Sequence, residues 1–350
     1  MLKAVWAPYT LHFKETAITS RARMLTKDTY YIKVYDRAEP HRVGWGEIPL
    51  FRGLSAEDAP DYEDVLNETC ERIGSGEPLP PYSSIRFGFE MALNDLRNGA
   101  RQVFFDTPWA QGRTAQQING LIWMGDKHTM STRIRMKLDA GFKCVKLKIG
   151  GINFDDELDL LRIIRREFDK SRIELRLDAN GAFTPQNALH RLDKLSAFDI
   201  HSIEQPIKAG QLEAMQRIAS ESPIPIALDE ELIGCHDLNF KHEMLRYIRP
   251  AYIILKPALC GGFHEADEWI QCARENGIGW WATSALESDL GLDAIAQWVS
   301  AYKPSIPQGL GTGQLYTNNI PSPVTLSGEM LQRRSSVPYD FTQLNSLNWN

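Results

Sequence analysis

Five short stretches decide how this chain folds: VKLKIG at 145–150, LRLDANG at 175–181, SIEQP at 202–206, IALDE at 226–230 and YIILKP at 252–257. Each is an apolar, strand-like run that carries an ionisable residue at or near its end: Lys146 and Lys148, then Asp178, Glu204, Asp229 and Lys256. The steps from 148 through 178, 204 and 229 to 256 are 30, 26, 25 and 27 residues. Each step has room for about one strand, one helix and two short loops. That rhythm predicts a barrel of βα units. The active site of such a barrel lies at the carboxyl ends of its strands, so the six side chains are expected to converge on one mouth.

On either side of these runs, INGLIWMG (118–125) supplies a first strand and PSIPQGLGTG (304–313) a last, giving about eight, enough to close a barrel. Helical stripes fill the intervals: Ile134 and Leu138; Leu158, Leu161, Ile164 and Phe168; Leu212, Met215 and Ile218; Phe263, Ala266, Ile270 and Ala273; Leu292, Ile295 and Val299. Thr184 and Pro185 form a cap and first-turn proline ahead of Leu189, Leu192 and Leu195. The first hundred residues read differently, with a strand at YYIKVYD (30–36) and a helix at IRFGFEMALNDLRNG (85–99), which suggests an α+β module. VTLSGEM (324–330) reads as one more strand in a tail returning to that module. The expected organisation is therefore an α+β domain over 1–110, completed by 321–350, and an α/β barrel over 111–320.

Composition excludes several function classes. Hydrophobic residues make up 43% and charged residues 24% of the 350, as in a soluble protein with a large core. A net charge of -6, with no basic block, argues against a nucleic-acid partner. No stretch approaches the roughly 20 apolar residues of a membrane span, and MLKAVWAPYTLHFK lacks the form of a secretion signal, so a cytoplasmic protein without a membrane partner is expected. The five cysteines, Cys70, Cys144, Cys235, Cys260 and Cys272, form no CxxC pair and are expected to be reduced.

The ionisable residues point to a reaction type. Lys146 and Lys148 share one face of a strand, and mutual repulsion plus burial is expected to lower the pKa of one lysine towards that of a base at neutral pH. KLK alone also fits a solvated surface strand. Asp178, Glu204 and Asp229 are three hard oxygen donors without a neighbouring histidine or cysteine, which favours magnesium over zinc or copper. Singly, each fits a helix cap or a salt bridge. Lys256 ends a very apolar run on the strand opposite that of Lys148, where a plain salt bridge is the simpler alternative. Together the set fits removal of a proton next to a carboxylate, with the enediolate stabilised by a metal.

In that order, KLK, LRLDANGAF, SIEQP, IALDE and ILKP resemble the enolase superfamily, in particular its muconate lactonizing subgroup. GWGEIPL (44–50) and IRFGFEMALNDL (85–96) resemble the capping domain of the same family. The resemblance implies a modified TIM barrel, (β/α)7β, with an N-terminal α+β capping domain. It implies Lys148 and Lys256 as catalytic residues, Lys146 as a supporting lysine, Asp178, Glu204 and Asp229 as ligands of Mg2+ (or Mn2+), and a small-molecule carboxylate as substrate. Within the subgroup, SALESDLGL (284–292), Arg176 and Asn180 are similar to the branch that dehydrates 2-succinyl-6-hydroxy-2,4-cyclohexadiene-1-carboxylate to o-succinylbenzoate for menaquinone synthesis. That likeness makes Arg176, Asn180, Ser284 and Glu287 substrate contacts. Asp289 stands where that branch often has serine, and GTGQLYTNN (311–319) lacks the Asp-x-Asp of dipeptide epimerases.

Three competing readings remain. An N-acylamino-acid racemase needs the same lysines and metal, substrate choice resting on capping-domain loops near 15–27 and 50–55. A catalytically silent barrel would break the series of ionisable residues. A phosphosugar barrel would use ALCGGFHEA and GLGTG as phosphate loops, although tight turns explain those glycines as well. Oligomeric state is not legible.

Overall fold

The computed structural model describes residues 1–18 and 23–350. Its first layer is an antiparallel sheet of β1 (Leu2–Ile18), β2 (Arg23–Asp36) and β3 (Val43–Ile48), followed by helices α1 (Tyr62–Glu71) and α2 (Ser83–Arg97). The GWGE motif explains how tightly β3 lies on α2. A Cβ on Gly44 would stand 2.0 Å from the Ala92 carbonyl oxygen, and one on Gly46 would stand 2.1 Å from that of Gly88. Because side chains alternate along a strand, Trp45 and Glu47 point away from α2, towards the rest of the molecule.

After a short β4 (Gln116–Gln117) comes an alternating series: β5 (Gly120–Ile122), α3 (Lys127–Asp139), β6 (Cys144–Lys148), α4 (Phe154–Glu167), β7 (Glu174–Asp178), α5 (Ala188–Ser196), β8 (Ile200–Glu204), α6 (Leu212–Glu221) and β9 (Ile226–Leu228). It continues with α7 (Leu238–Ile248), β10 (Tyr252–Leu255), α8 (Gly262–Glu275), β11 (Gly279–Ala282) and α9 (Asp289–Ser300). Strands β5 to β11 form one parallel sheet in sequence order. Val145, Leu147, Leu175, Leu177, Ile203 and Ile253 join the helix residues Leu161, Ile164, Leu192, Leu195, Ile218 and Leu245 in one buried core. The sheet interior is filled low down by Ala227, Ile254 and Trp281.

The expected eighth strand is present only in part. Gln308 and Gly309 bridge to both edges of the sheet, pairing with Ile118 on one side and Thr283 on the other. Asn119 N donates to Gln308 O at 2.9 Å, and Gly309 N donates to Ala282 O at 2.8 Å. Pro304 and Pro307 lack N–H groups, so the ladder cannot extend back along this segment. The Gln308 side chain substitutes for part of it, its Oε1 accepting from Ala282 N at 2.7 Å.

Two other expectations shift. Helix α5 begins at Ala188 rather than beside Thr184, because Thr184 and Asn187 first close a reciprocal turn: Thr184 N donates to Asn187 Oδ1 and Asn187 N to Thr184 Oγ1. The tail strand β12 (Val324–Ser327) forms a hairpin with β13 (Met330–Arg333) that adds to β4, not to the N-terminal sheet. The last ten residues do reach that sheet, where Asn350 and Trp6 exchange backbone hydrogen bonds and Phe341 stacks on Trp45 at 4.0 Å.

Helix α8 is capped from the N-terminal module. Glu90 on α2 accepts from the backbone N–H of Phe263 at 2.6 Å and of His264 at 3.3 Å. Burial nevertheless pushes its carboxyl up to about 7, against these hydrogen bonds. A carboxyl whose folded pKa exceeds its unfolded value contributes stability that is full below about 4.5 and lost as pH rises through about 7. The unfolding free energy of the wild type relative to Glu90→Gln is therefore expected to fall by on the order of 2 kcal/mol from pH 4.5 to pH 7.5 in urea titrations, and a flat difference would refute this.

Candidate active site

The ionisable residues of the motif series meet at the carboxyl end of the sheet. Register explains the meeting: Lys148 pairs with Asp178 across β6 and β7, and Asp178 pairs with Glu204 across β7 and β8. Asp229 and Lys256 follow directly after β9 and β10. Left-handed residues end two of the runs, Asn180 at φ 44° after Asp178 and Gln205 at φ 42° after Glu204. The chain thus turns away just beyond each carboxylate. Asparagine tolerates that conformation better than most side chains.

All three carboxylates are at most 2% exposed. Lys146 Nζ donates to Asp178 Oδ2 at 3.1 Å and to the two oxygens of Glu204 at 3.2 and 3.0 Å. Lys148 Nζ donates to Asp178 Oδ2 at 2.9 Å and to Asn180 Oδ1 at 2.7 Å. Lys256 Nζ pairs with Asp229. Asn180 reaches onward, its Nδ2 donating to Glu230 Oε1 at 3.0 Å.

Electrostatics correct one expectation. Burial alone would lower Lys146, but Asp178, Glu204 and Asp229 outweigh it and hold that ammonium above the ordinary lysine range, so repulsion within the lysine pair does not dominate there. Lys256 is raised in the same way, burial being overcome by Asp229 and Glu204. Asp178 is held well below the carboxylate range: burial opposes this, and Lys146, Lys148 and Lys256 overcome it. Glu204 goes the other way, pushed up by burial and by its neighbours Asp178 and Asp229.

Among the described residues no three carboxylates or histidines already surround one point, because ammonium groups stand between them. The donor set nonetheless fits a hard divalent cation. Lys146 Nζ, a single positive charge, is already shared by Asp178 and Glu204, and the crowding that raises Glu204 is what a bound cation relieves.

A cavity opens above this cluster. Lys146, Lys148, Asp178, Asn180 and Lys256 form its charged side. Asn119, Thr283, Ser284, Gly309, Gly311 and Thr312 form a neutral polar side, and Met24, Phe51 and Leu54 reach over it from the N-terminal module. Among the described residues Asn119 Oδ1 and Thr312 Oγ1, buried there, have no hydrogen-bond partner. The strand alternation of 119, 121 and 123 could have revealed Asn119 and Trp123 in advance. The expected specificity segment 15–27 is largely the ends of β1 and β2, and its residues 19–22 lie outside the described residues.

Two expected substrate contacts lie elsewhere. Arg176 faces the interior but two residues before Asp178 on β7, below the cavity floor. Its guanidinium is engaged by Glu174 at 2.8 Å and the Pro307 carbonyl at 2.9 Å, and lies 4.3 Å over Trp281. Glu287 is fully buried behind the wall, accepting from Ser284 Oγ, so of that pair only Ser284 lines the cavity.

Residues 129–333 match the family described as Enolase C-terminal domain-like. The o-succinylbenzoate synthase of Desulfotalea psychrophila is 44% identical over 92% of this chain and 96% of its own. The crystal structure of MenC from Desulfotalea psychrophila superposes with a TM-score of 0.84 at 40% identity, covering 95% of this chain and 99% of that one. A dipeptide epimerase from Enterococcus faecalis, solved with Mg and the dipeptide L-Leu-L-Tyr, shares the fold with a TM-score of 0.81 at 21% identity, over 95% and 97% of the two chains.

Magnesium is expected to raise the melting temperature of the wild type, by the equivalent of about 2.7 kcal/mol at one hundred times its dissociation constant. Glu204→Gln should lose most of that increment in thermal scans, and an equal increment in both proteins would argue against a cation held by these carboxylates.

Proposed function

Because the chain belongs to the enolase superfamily, we propose that it dehydrates 2-succinyl-6-hydroxy-2,4-cyclohexadiene-1-carboxylate to o-succinylbenzoate, the hydro-lyase step of menaquinone synthesis. The relative that is 44% identical over 92% of the chain supports this reading. The observation that carries the mechanism is that Lys148 and Lys256 line one cavity beside three buried carboxylates. Asp178, Glu204 and Asp229 hold Mg2+, with Mn2+ an acceptable replacement on donor chemistry. When bound there, the metal supplies positive charge against the substrate carboxylate as it takes on enediolate character.

Lys148 is the base. It takes the proton from the carbon bearing the carboxylate, and the electron pair moves into that carboxylate. The pair then returns to form the ring double bond while the C6–O bond breaks. Lys148 gives its proton to the departing hydroxyl, which leaves as water, so proton and electrons balance. Asn180 Oδ1, 2.7 Å from Lys148 Nζ, directs the ammonium between these two steps. Lys256 stabilises the negative charge from the other side, and Lys146 keeps Asp178 and Glu204 together. Asn180 and Ser284, both on the cavity, contact the substrate.

The eighth-strand wall, Gly309, Gly311 and Thr312, offers no carboxylate to a dipeptide's ammonium group, which disfavours the epimerase alternative. An N-acylamino-acid racemase differs only in the step after proton removal. A coupled assay separates them: loss of the cyclohexadiene absorbance is expected with magnesium and should stop on chelation, while N-succinylamino acids run in parallel report racemisation. Racemisation without dehydration would overturn the assignment. Lys148→Ala is expected to lower turnover by roughly 10²- to 10⁴-fold with the fold intact by circular dichroism.

A further inference from the structure

The wall of the cavity at Ser284, Ala285 and Leu286 belongs to a backbone turn that is not relaxed by itself. Leu286 has φ 66°, a conformation that costs a branched side chain energy and persists only where its surroundings impose it. Part of the constraint is local: Leu286 N donates to Ser284 Oγ at 2.9 Å, and Tyr316 OH donates to Leu286 O at 2.7 Å. The rest comes from the N-terminal module. Glu47 on β3 is fully buried, and its carboxylate accepts four hydrogen bonds. Ser288 N donates at 2.9 Å, Ser288 Oγ at 2.6 Å, Gly291 N at 2.9 Å and Thr29 Oγ1 at 3.0 Å. Gly291 admits this approach, since a Cβ there would stand 2.8 Å from Glu47 Oε2. Three of these donors belong to the end of the turn and the start of α9, and the fourth is on β2. The same segment runs on from Glu47 to Phe51 and Leu54, which form another wall of the cavity.

We propose that Glu47 is a positioning residue for substrate selection: by tying the 284–288 turn and the start of α9 to the segment that runs on from β3 to Phe51 and Leu54, it sets the distance between two walls of the cavity and so the shape of acyl arm admitted. This deepens the proposed dehydration and rests on it for the identity of the arm. The charged side of the cavity, which performs the proton transfer, is untouched by Glu47. Its loss is therefore expected in KM and in the choice between substrates more than in kcat.

The test is Glu47→Gln, which keeps the shape but puts an amide N–H₂ where a donor must be accepted. KM for the cyclohexadiene is expected to rise roughly tenfold, the equivalent of one charge-assisted hydrogen bond, with kcat changed far less. The ratio of kcat/KM for that substrate to kcat/KM for an N-succinylamino acid should change too, and this ratio is independent of the folded fraction. Leu286→Gly relaxes the turn, so in the double variant the Glu47→Gln effect should shrink rather than add. A lower melting temperature with KM and the ratio unchanged would make Glu47 merely structural and overturn the inference. If Glu47→Gln does not fold, Ser288→Ala removes one donor and should shift KM the same way by less, and an unchanged KM there overturns it equally. Failure of the wild type to dehydrate would defeat the functional assignment instead, and the Glu47 comparison would then be read on whichever substrate the wild type turns over.

Discussion

Everything at the carboxyl end of this barrel depends on burying charges of both signs together. Asp178, Glu204 and Asp229 are each at most 2% exposed, and any one alone in that environment would carry a desolvation cost of several kcal/mol. They persist because Lys146, Lys148 and Lys256 arrive from flanking strands, the first two buried and the third partly so. The balance is uneven, however. Asp178 touches two ammonium groups and is strongly acidic, whereas Glu204 is crowded by two carboxylates and is pushed the other way. The site is thus short of positive charge on one side and well supplied on the other. A divalent cation and an anionic substrate complement that asymmetry.

The N-terminal module does more than cover this site. It reaches the barrel helices through carboxylates placed on their amino termini, Glu90 on α8 and Glu47 on α9. Helix amino termini carry unsatisfied N–H groups and a partial positive charge, so a carboxylate from another layer both satisfies and fixes them. Arg86 and Glu265 add an ion pair between α2 and α8. The two layers are joined by directed contacts as well as by apolar packing.

Much of this was readable in the sequence because period and spacing survive without structure. The βα rhythm and the strand-end charges placed Lys148, Asp178, Glu204, Asp229 and Lys256 on one rim, since alternation decides which face a residue takes. Alternation does not decide depth. Arg176 shares the inward face of β7 with Asp178 but sits beneath it, occupied by Glu174 and Trp281. Nor does pattern foretell a closing strand reduced to Gln308 and Gly309, where prolines remove the donors on one side. Contacts such as that of Glu47 with Ser288 join residues 241 positions apart, and no local signal carries them.

The two-residue closure has a mechanical meaning. Strands β6, β7 and β8, which carry Lys146, Lys148, Asp178 and Glu204, are braced by longer ladders, whereas the joint between β11 and β5 hangs on a few backbone bonds and one glutamine side chain. That joint adjoins Asn119, Gly309, Gly311 and Thr312, the neutral flank of the cavity. Substitutions at the seam would therefore reshape the neutral wall of the cavity before they disturb the ladders that hold Lys148, Asp178 and Glu204 in register.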